Sequence, residues 1–161
     1  MAPKPTPEPI WPEGVARHAF DSLASTNETA ASLAPGLTGP AWVIAGEQTA
    51  GRGRRGRPWT SPRGNFYGSL VMRPEGPPDQ AALRSFVAAL ALHQACVGLT
   101  GLPQAFALKW PNDVLLNGGK LAGILLESAG QGGRIAIAPI PAQGLGRAIN
   151  DRLRRAAAPR G

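Results

Sequence analysis

Three stretches of this sequence combine residue types that could do chemistry. The first is Gly51-Arg52-Gly53-Arg54-Arg55-Gly56-Arg57. Glycines let a backbone fold tightly round a ligand and present its amide donors. Arginines between them offer forked donors matched to carboxylate or phosphate. The same composition also occurs in solvated loops and in RNA-binding segments. Its place between two apolar runs, Ala41–Glu47 and Phe66–Arg73, favours a small-anion site over a free tail. The second stretch is Lys109-Trp110-Pro111-Asn112-Asp113, followed at Lys120 by Leu121-Ala122-Gly123-Ile124-Leu125-Leu126-Glu127. Asn-Asp after a proline could simply make a turn. The intervening Asn117-Gly118-Gly119, however, predicts a tight hairpin. That hairpin would set Lys120 opposite the strand beginning near Asp113, so that cation and carboxylate share one cleft. The ammonium would then serve a phosphate and the carboxylate a magnesium ion. The third stretch is Ser25-Thr26-Asn27, which with Glu28 fits a capping box: Ser25 accepts from the Glu28 amide while Glu28 reaches back. Capping is compatible with ligand binding, because a helix N-terminus is itself a site for polar or anionic groups.

The elements that must position these residues follow from pattern. His18–Leu23 is a short strand candidate, and the helix after Ser25 should stop before Pro35-Gly36. Ala41–Glu47 reads as a buried strand, Gln48–Asn65 as a long functional loop, and Phe66–Arg73 as a strand. Asp79–Leu99 carries Leu83, Phe86, Val87, Leu90, Ala91 and Val97 at helical spacing and predicts the longest helix. Phe106–Trp110 is a strand ended by Pro111; Val114–Leu116 and Lys120–Glu127 form the hairpin; Arg134–Ala138 is one more strand, and Gln143–Ala158 a basic helix. Strands and helices mix without repeated βαβ units, which predicts an α+β fold with a mixed sheet.

Composition bounds the function classes. With 161 residues, 43% hydrophobic and 17% charged, the chain should form one globular domain. Met1–Gly14 holds five prolines and reads as a flexible lead-in, without the apolar run of a signal peptide. The single cysteine, Cys96, excludes an internal disulfide and a cysteine-built zinc site, and reads as a buried structural thiol. No apolar run approaches membrane-spanning length, so the expected compartment is the cytoplasm. Gly51–Arg63 carries five arginines and no acid, and residues 131–161 carry six arginines against Asp151. Two patches of +5 on a chain of +7 leave the rest near −3. A focused patch on a near-neutral body suits a small anionic ligand at least as well as a nucleic acid.

Ser25-Thr26-Asn27, Gln48-Thr49-Ala50 with the Gly51–Arg57 loop, Lys109–Asp113 and Lys120–Glu127 resemble, in order and spacing, the signature blocks of biotin protein ligases. The resemblance runs from His18 to Glu127, about two thirds of the chain. It implies a mixed, largely antiparallel sheet with helices packed on it. It also implies an ATP-dependent ligase that makes biotinyl-5′-AMP and passes biotin to a lysine of a biotin carboxyl carrier protein. Carried over residue by residue, Ser25, Thr26, Asn27, Gln48, Gly51, Arg52, Gly53, Arg54 and Lys120 would bind biotin. Arg54, Arg57, Trp59, Asn112, Asp113 and Lys120 would bind ATP. Lys120, Arg54 and Asp113 would be catalytic, with Asp113 holding Mg2+. Family members usually continue into a Gly-x-Gly-x-Asn strand, and most end in a small β-barrel. Here Ile135–Pro141 and an Ala/Arg-rich tail stand in that place. The expected organisation is therefore a lead-in over 1–14, a ligase-like catalytic domain over 15–138 and a truncated or divergent tail over 139–161. Neither a DNA-binding domain nor a β-barrel is expected. The other readings are a truncated, inactive or weakly active ligase fragment, a lipoate-type ligase, and a non-catalytic nucleic-acid-binding protein using the basic patches.

Overall fold

A computed structural model describes residues 11–73, 75, 77, 80, 83–129 and 133–140, with residues 54, 129 and 133–140 described for the backbone alone. The expected basic helix over 143–158 lies outside these residues.

Among the described residues, eight strands form two sheets. Strands β1 (Ala16–Leu23), β2 (Ala41–Gln48), β3 (Phe66–Met72), β7 (Leu125–Ala129) and β8 (Gly133–Ile140) make a five-stranded sheet in the order β1-β2-β3-β8-β7. Strands β4 (Phe106–Lys109), β5 (Asp113–Leu116) and β6 (Gly119–Gly123) make a three-stranded meander. β1 and β2 are parallel and every other pair is antiparallel, which is the mixed α+β arrangement expected. The parallel pair exists because helix α1 (Thr26–Leu33) carries the chain back over the sheet between them. Along β2 the residues Ala41, Val43 and Ala45 are buried at alternate positions. Val43 packs with Val71 of β3 and with Ala30 and Ala34 on the α1 side.

Helix α2 (Arg84–Thr100) covers the small sheet and ends at Gly101, whose left-handed φ of 64° lets its amide bond Val97 O at 2.7 Å. Its buried residues are Ala89, Cys96 and Thr100; Cys96 joins Phe106, Val114, Leu121 and Ala122 in a second core cluster. This corrects the expected apolar stripe, because Leu83, Val87 and Leu90 are exposed. The helix is apolar on more than one side, and the contacts with β4 and β5 select its Cys96 ridge.

Two further expectations are corrected. Ser25 is the extended residue before α1, but its side chain makes no capping bond. The Thr26 amide is instead met by Gln48 Oε1, 2.8 Å away, and Glu28 lies 3.8 Å from Arg52. The run Lys120–Glu127 is two strands rather than one. β6 pairs with β5, then the chain crosses at the buried Ile124 into β7 of the large sheet. Asn112 fixes the crossing, accepting from the Ile124 amide with its own carbonyl (3.1 Å) and donating Nδ2 to the Ile124 carbonyl. β8 runs on through Pro139, opposite Tyr67, to Ile140.

Candidate functional site

The Asn117-Gly118 turn takes φ values of 49° and 80°, the left-handed pair that a two-residue hairpin needs. It sets Lys120 beside Leu115 in the register and Gly123 opposite Asp113. Lys120 Nζ then lies 2.9 Å from Asp113 Oδ1, so the sequence-derived pairing of cation and carboxylate is observed. Gly123 makes room for it, because a Cβ there would stand 3.0 Å from Lys120 Cε and Nζ. The Lys120 ammonium also sits 5.4 Å from the centre of the Trp59 ring.

Trp59 comes from the far leg of the arginine loop, which is folded as a narrow finger. Its legs are joined by Trp59 N to Gly51 O (2.8 Å) and Gly53 N to Arg57 O (2.8 Å). The tip is a 3-10 turn, Arg54–Gly56, with Arg55 at φ 60°. At the base, Arg63 makes two 2.7 Å bonds to the Asp21 carboxylate and one of 3.2 Å to Glu47, tying the loop exit to β1 and β2. Hydrogen bonding from Arg63, and then its charge, hold the Asp21 carboxyl below the usual carboxylate range.

Finger and hairpin face each other across a cleft of about 550 Å³. Of the sequence-derived site residues, Arg52, Gly53, Arg57, Trp59, Asn112, Asp113 and Lys120 line it. Arg55, Pro58 and the crossing residues Gly123–Leu125 line it too and were not anticipated. Their signal was weak: Arg55 was read only as part of the loop, and the strand break at Ile124 is marked in the sequence by Gly123 alone.

Ser25, Thr26 and Asn27 are buried beside the cleft rather than in its lining. Thr26 N and Oγ1 both donate to Gln48 Oε1, at 2.8 and 3.0 Å. Asn27 donates Nδ2 to Glu127 Oε2 (2.9 Å) and accepts from Ser69 Oγ (3.1 Å). Gly51 links the two groups: it lies on the finger, and a Cβ on it would stand 2.6 Å from Ser61 Oγ and 3.1 Å from Gln48 Nε2. The Arg54 side chain lies outside the described residues. Among the described residues no three His, Cys, Asp or Glu side chains gather as a metal site, so a cation at Asp113 needs oxygens from a substrate to complete its shell.

Chemically, the cleft is a concentration of cationic and forked donors with one carboxylate, open to solvent and floored by apolar Ile124 and Leu125. That suits a ligand with several anionic oxygens and an apolar portion. A sequence model of the biotin/lipoate A/B protein ligase family matches residues 19–147.

The chain belongs to this family.

The match extends past Glu127, through β8. The biotin--[acetyl-CoA-carboxylase] ligase of Paracoccus denitrificans is 66% identical over 109 residues, covering 67% of this chain and 45% of that protein. The Mycobacterium tuberculosis protein of the same name is 43% identical over 118 residues, covering 68% of this chain and 44% of its own length. The chain thus spans less than half the length of either relative. Among solved structures, the Leishmania major biotin protein ligase in complex with biotinyl-5-AMP superposes with a TM-score of 0.70 and 26% identity, covering 86% of this chain and 73% of that one. The Aquifex aeolicus ligase in complex with biotin and ATP shares the fold, with a TM-score of 0.68, 23% identity, and coverage of 87% and 71%. The family read from four motif blocks is therefore borne out. No described helix is long and apolar enough to cross a membrane.

Proposed function

We propose that this chain is the catalytic module of an ATP-dependent biotin protein ligase. The observation that carries the reading is the Lys120 ammonium, held 2.9 Å from Asp113 and under Trp59 in a cleft lined by Arg52 and Arg57. A biotin carboxylate oxygen attacks the α-phosphorus of ATP. The bond to the bridging oxygen breaks, and pyrophosphate leaves with the electron pair. Two anions must approach one phosphorus, and negative charge grows on its oxygens in the transition state. Lys120 is held by Asp113 before that charge develops, the finger arginines add positive charge beside it, and a single preorganised donor is worth about 3–4 kcal/mol. Asp113 holds the Lys120 ammonium in place and would supply a carboxylate oxygen for Mg2+, which when bound would neutralise phosphate charge. The finger shields the mixed anhydride from water. The amine of an acceptor lysine on a biotin carboxyl carrier protein then attacks the acyl carbon, AMP leaves, and the amine releases its proton to solvent.

Ser25, Thr26, Asn27, Gln48 and Gly51 are proposed to form the wall that receives the biotin rings, and Arg54 to act with Lys120 on the phosphates. The Gln48–Thr26 hydrogen bonds support a polar end to that wall. The proposed setting is the cytoplasm, with neither DNA nor membrane as partner. Lys120→Ala tests the reading: biotin-dependent exchange between pyrophosphate and ATP should fall by about 10²–10³-fold, with the melting curve unchanged. Exchange at the wild-type rate refutes the assignment.

A further inference from the structure

The finger contains one buried polar residue that the mechanism above leaves unused. Ser61 is only 4% exposed, and its hydroxyl stands in the middle of a directional chain of hydrogen bonds. The Thr26 amide can only donate, so the Gln48 atom 2.8 Å from it must be the oxygen. This forces Gln48 Nε2 to the other side, where it donates to Ser61 Oγ at 3.0 Å. Ser61 in turn donates its own proton to Trp59 O at 3.1 Å. Ser61 is therefore an acceptor toward Gln48, and the Gln48 amide is locked in one of its two orientations. In that orientation Thr26 Oγ1 also spends its proton on Gln48 Oε1 (3.0 Å), leaving lone pairs as what it can offer a ligand. Gln48 Nε2 keeps a second hydrogen.

We infer that Ser61 is a positioning residue: with the Thr26 amide at the other end, it holds the Gln48 carboxamide in this one orientation, so that the Gln48–Thr26 pair meets a ligand carrying an N–H donor next to a carbonyl acceptor. A cyclic urea or lactam has this pattern; a lactone or cyclic ether lacks the donor. The inference rests on the biotin reading for the identity of the ligand, but the locking of Gln48 does not depend on it. The backbone supports the same geometry, since Ser61 O accepts from Gln48 N at 3.1 Å and fixes both residues side by side at the base of the finger.

Two measurements on the whole chain test it. In ligand-free protein, Ser61→Ala should release the Gln48 amide and speed hydrogen exchange of the Thr26 amide by about tenfold, while the Val43 amide in β2 is unchanged. Ser61→Cys, which is somewhat larger but accepts hydrogen bonds poorly, should do the same. In binding, Ser61→Ala should weaken biotin by about tenfold and alter the KM for ATP less than twofold. In a Gln48→Ala background, where no carboxamide remains for Ser61 to hold, adding Ser61→Ala should change biotin affinity less than twofold. A purely structural role predicts instead equal losses in both backgrounds and a matching loss for ATP. Unaltered Thr26 exchange in both Ser61 variants overturns the inference whatever the ligand. Wild-type protein that fails to bind biotin while Thr26 exchange responds as stated overturns the biotin reading and leaves the locked amide standing.

Discussion

Two glycines on the arginine finger, two residues apart, should respond oppositely to the same substitution. Neither Gly51 nor Gly53 has the left-handed φ that would strain an alanine, so only space decides. A Cβ on Gly51 would stand 2.6 Å from Ser61 Oγ and 2.6 Å from Trp59 O. The second is backbone, and the first is buried and hydrogen-bonded at both ends, so neither can withdraw freely. Overpacking of this kind costs about 1–3 kcal/mol, or roughly 5–150-fold in the population of open fingers. The cost falls on the bond from Trp59 N to Gly51 O. A Cβ on Gly53 meets nothing nearer than Trp59 Cε3 at 3.5 Å, an ordinary contact. Restricting the unfolded chain then makes Gly53→Ala neutral or slightly stabilising, by about 0.4–1 kcal/mol at most. Hydrogen exchange at the Trp59 amide in ligand-free protein reads both effects: faster by at least about fivefold in Gly51→Ala, unchanged or slower in Gly53→Ala. Equal behaviour of the two variants would falsify the packing argument for the finger.

Arg54→Ala should reduce pyrophosphate exchange by about 10²-fold or more without lowering the melting temperature; full exchange removes Arg54 from the proposed machinery. Arg63 depresses the Asp21 pKa, so the pair contributes stability above the unfolded carboxyl pKa and loses it as pH falls through the lower folded value. The melting-temperature gap between wild type and Asp21→Asn should be constant near neutrality and close below the usual carboxylate range; a gap that persists in strong acid contradicts this. Burial raises the Cys96 thiol pKa, and the side chain is only 1% exposed. At mildly alkaline pH a thiol reagent should label Cys96 only as fast as the protein opens; rapid stoichiometric labelling in native buffer contradicts its place in the core.

What was legible in the sequence was local. Asn117-Gly118 fixes a turn of known geometry, the turn fixes the register, and the register brings Lys120 to Asp113 without reference to the rest of the chain. The finger was likewise legible as a loop between two strands. Interactions between distant segments were not. The first amide of α1 is capped by Gln48, 22 residues on, so Ser25–Glu28 gave a reasonable capping pattern that a tertiary partner displaced. Asn27 meets Glu127 at a separation of 100 residues, and no periodicity carries such a contact. The phase of α2 failed for a related reason. With apolar residues on several sides, the buried ridge is set by which sheet lies beneath, and Val87 and Leu90 are exposed although they fit a helical stripe. Ile124 reads as mid-strand because a single glycine, Gly123, is a weak break signal inside an apolar run, whereas the crossing is held by Asn112 at both the Ile124 amide and its carbonyl.

Calorimetry of the whole chain with biotin, alone and then with Mg-ATP present, asks most directly whether Lys120 and the finger bring two anionic reactants together. Saturable one-to-one biotin binding, tightened by Mg-ATP with release of pyrophosphate in wild type but not in Lys120→Ala, is the predicted result. No biotin binding, or tightening that survives in Lys120→Ala, would contradict it.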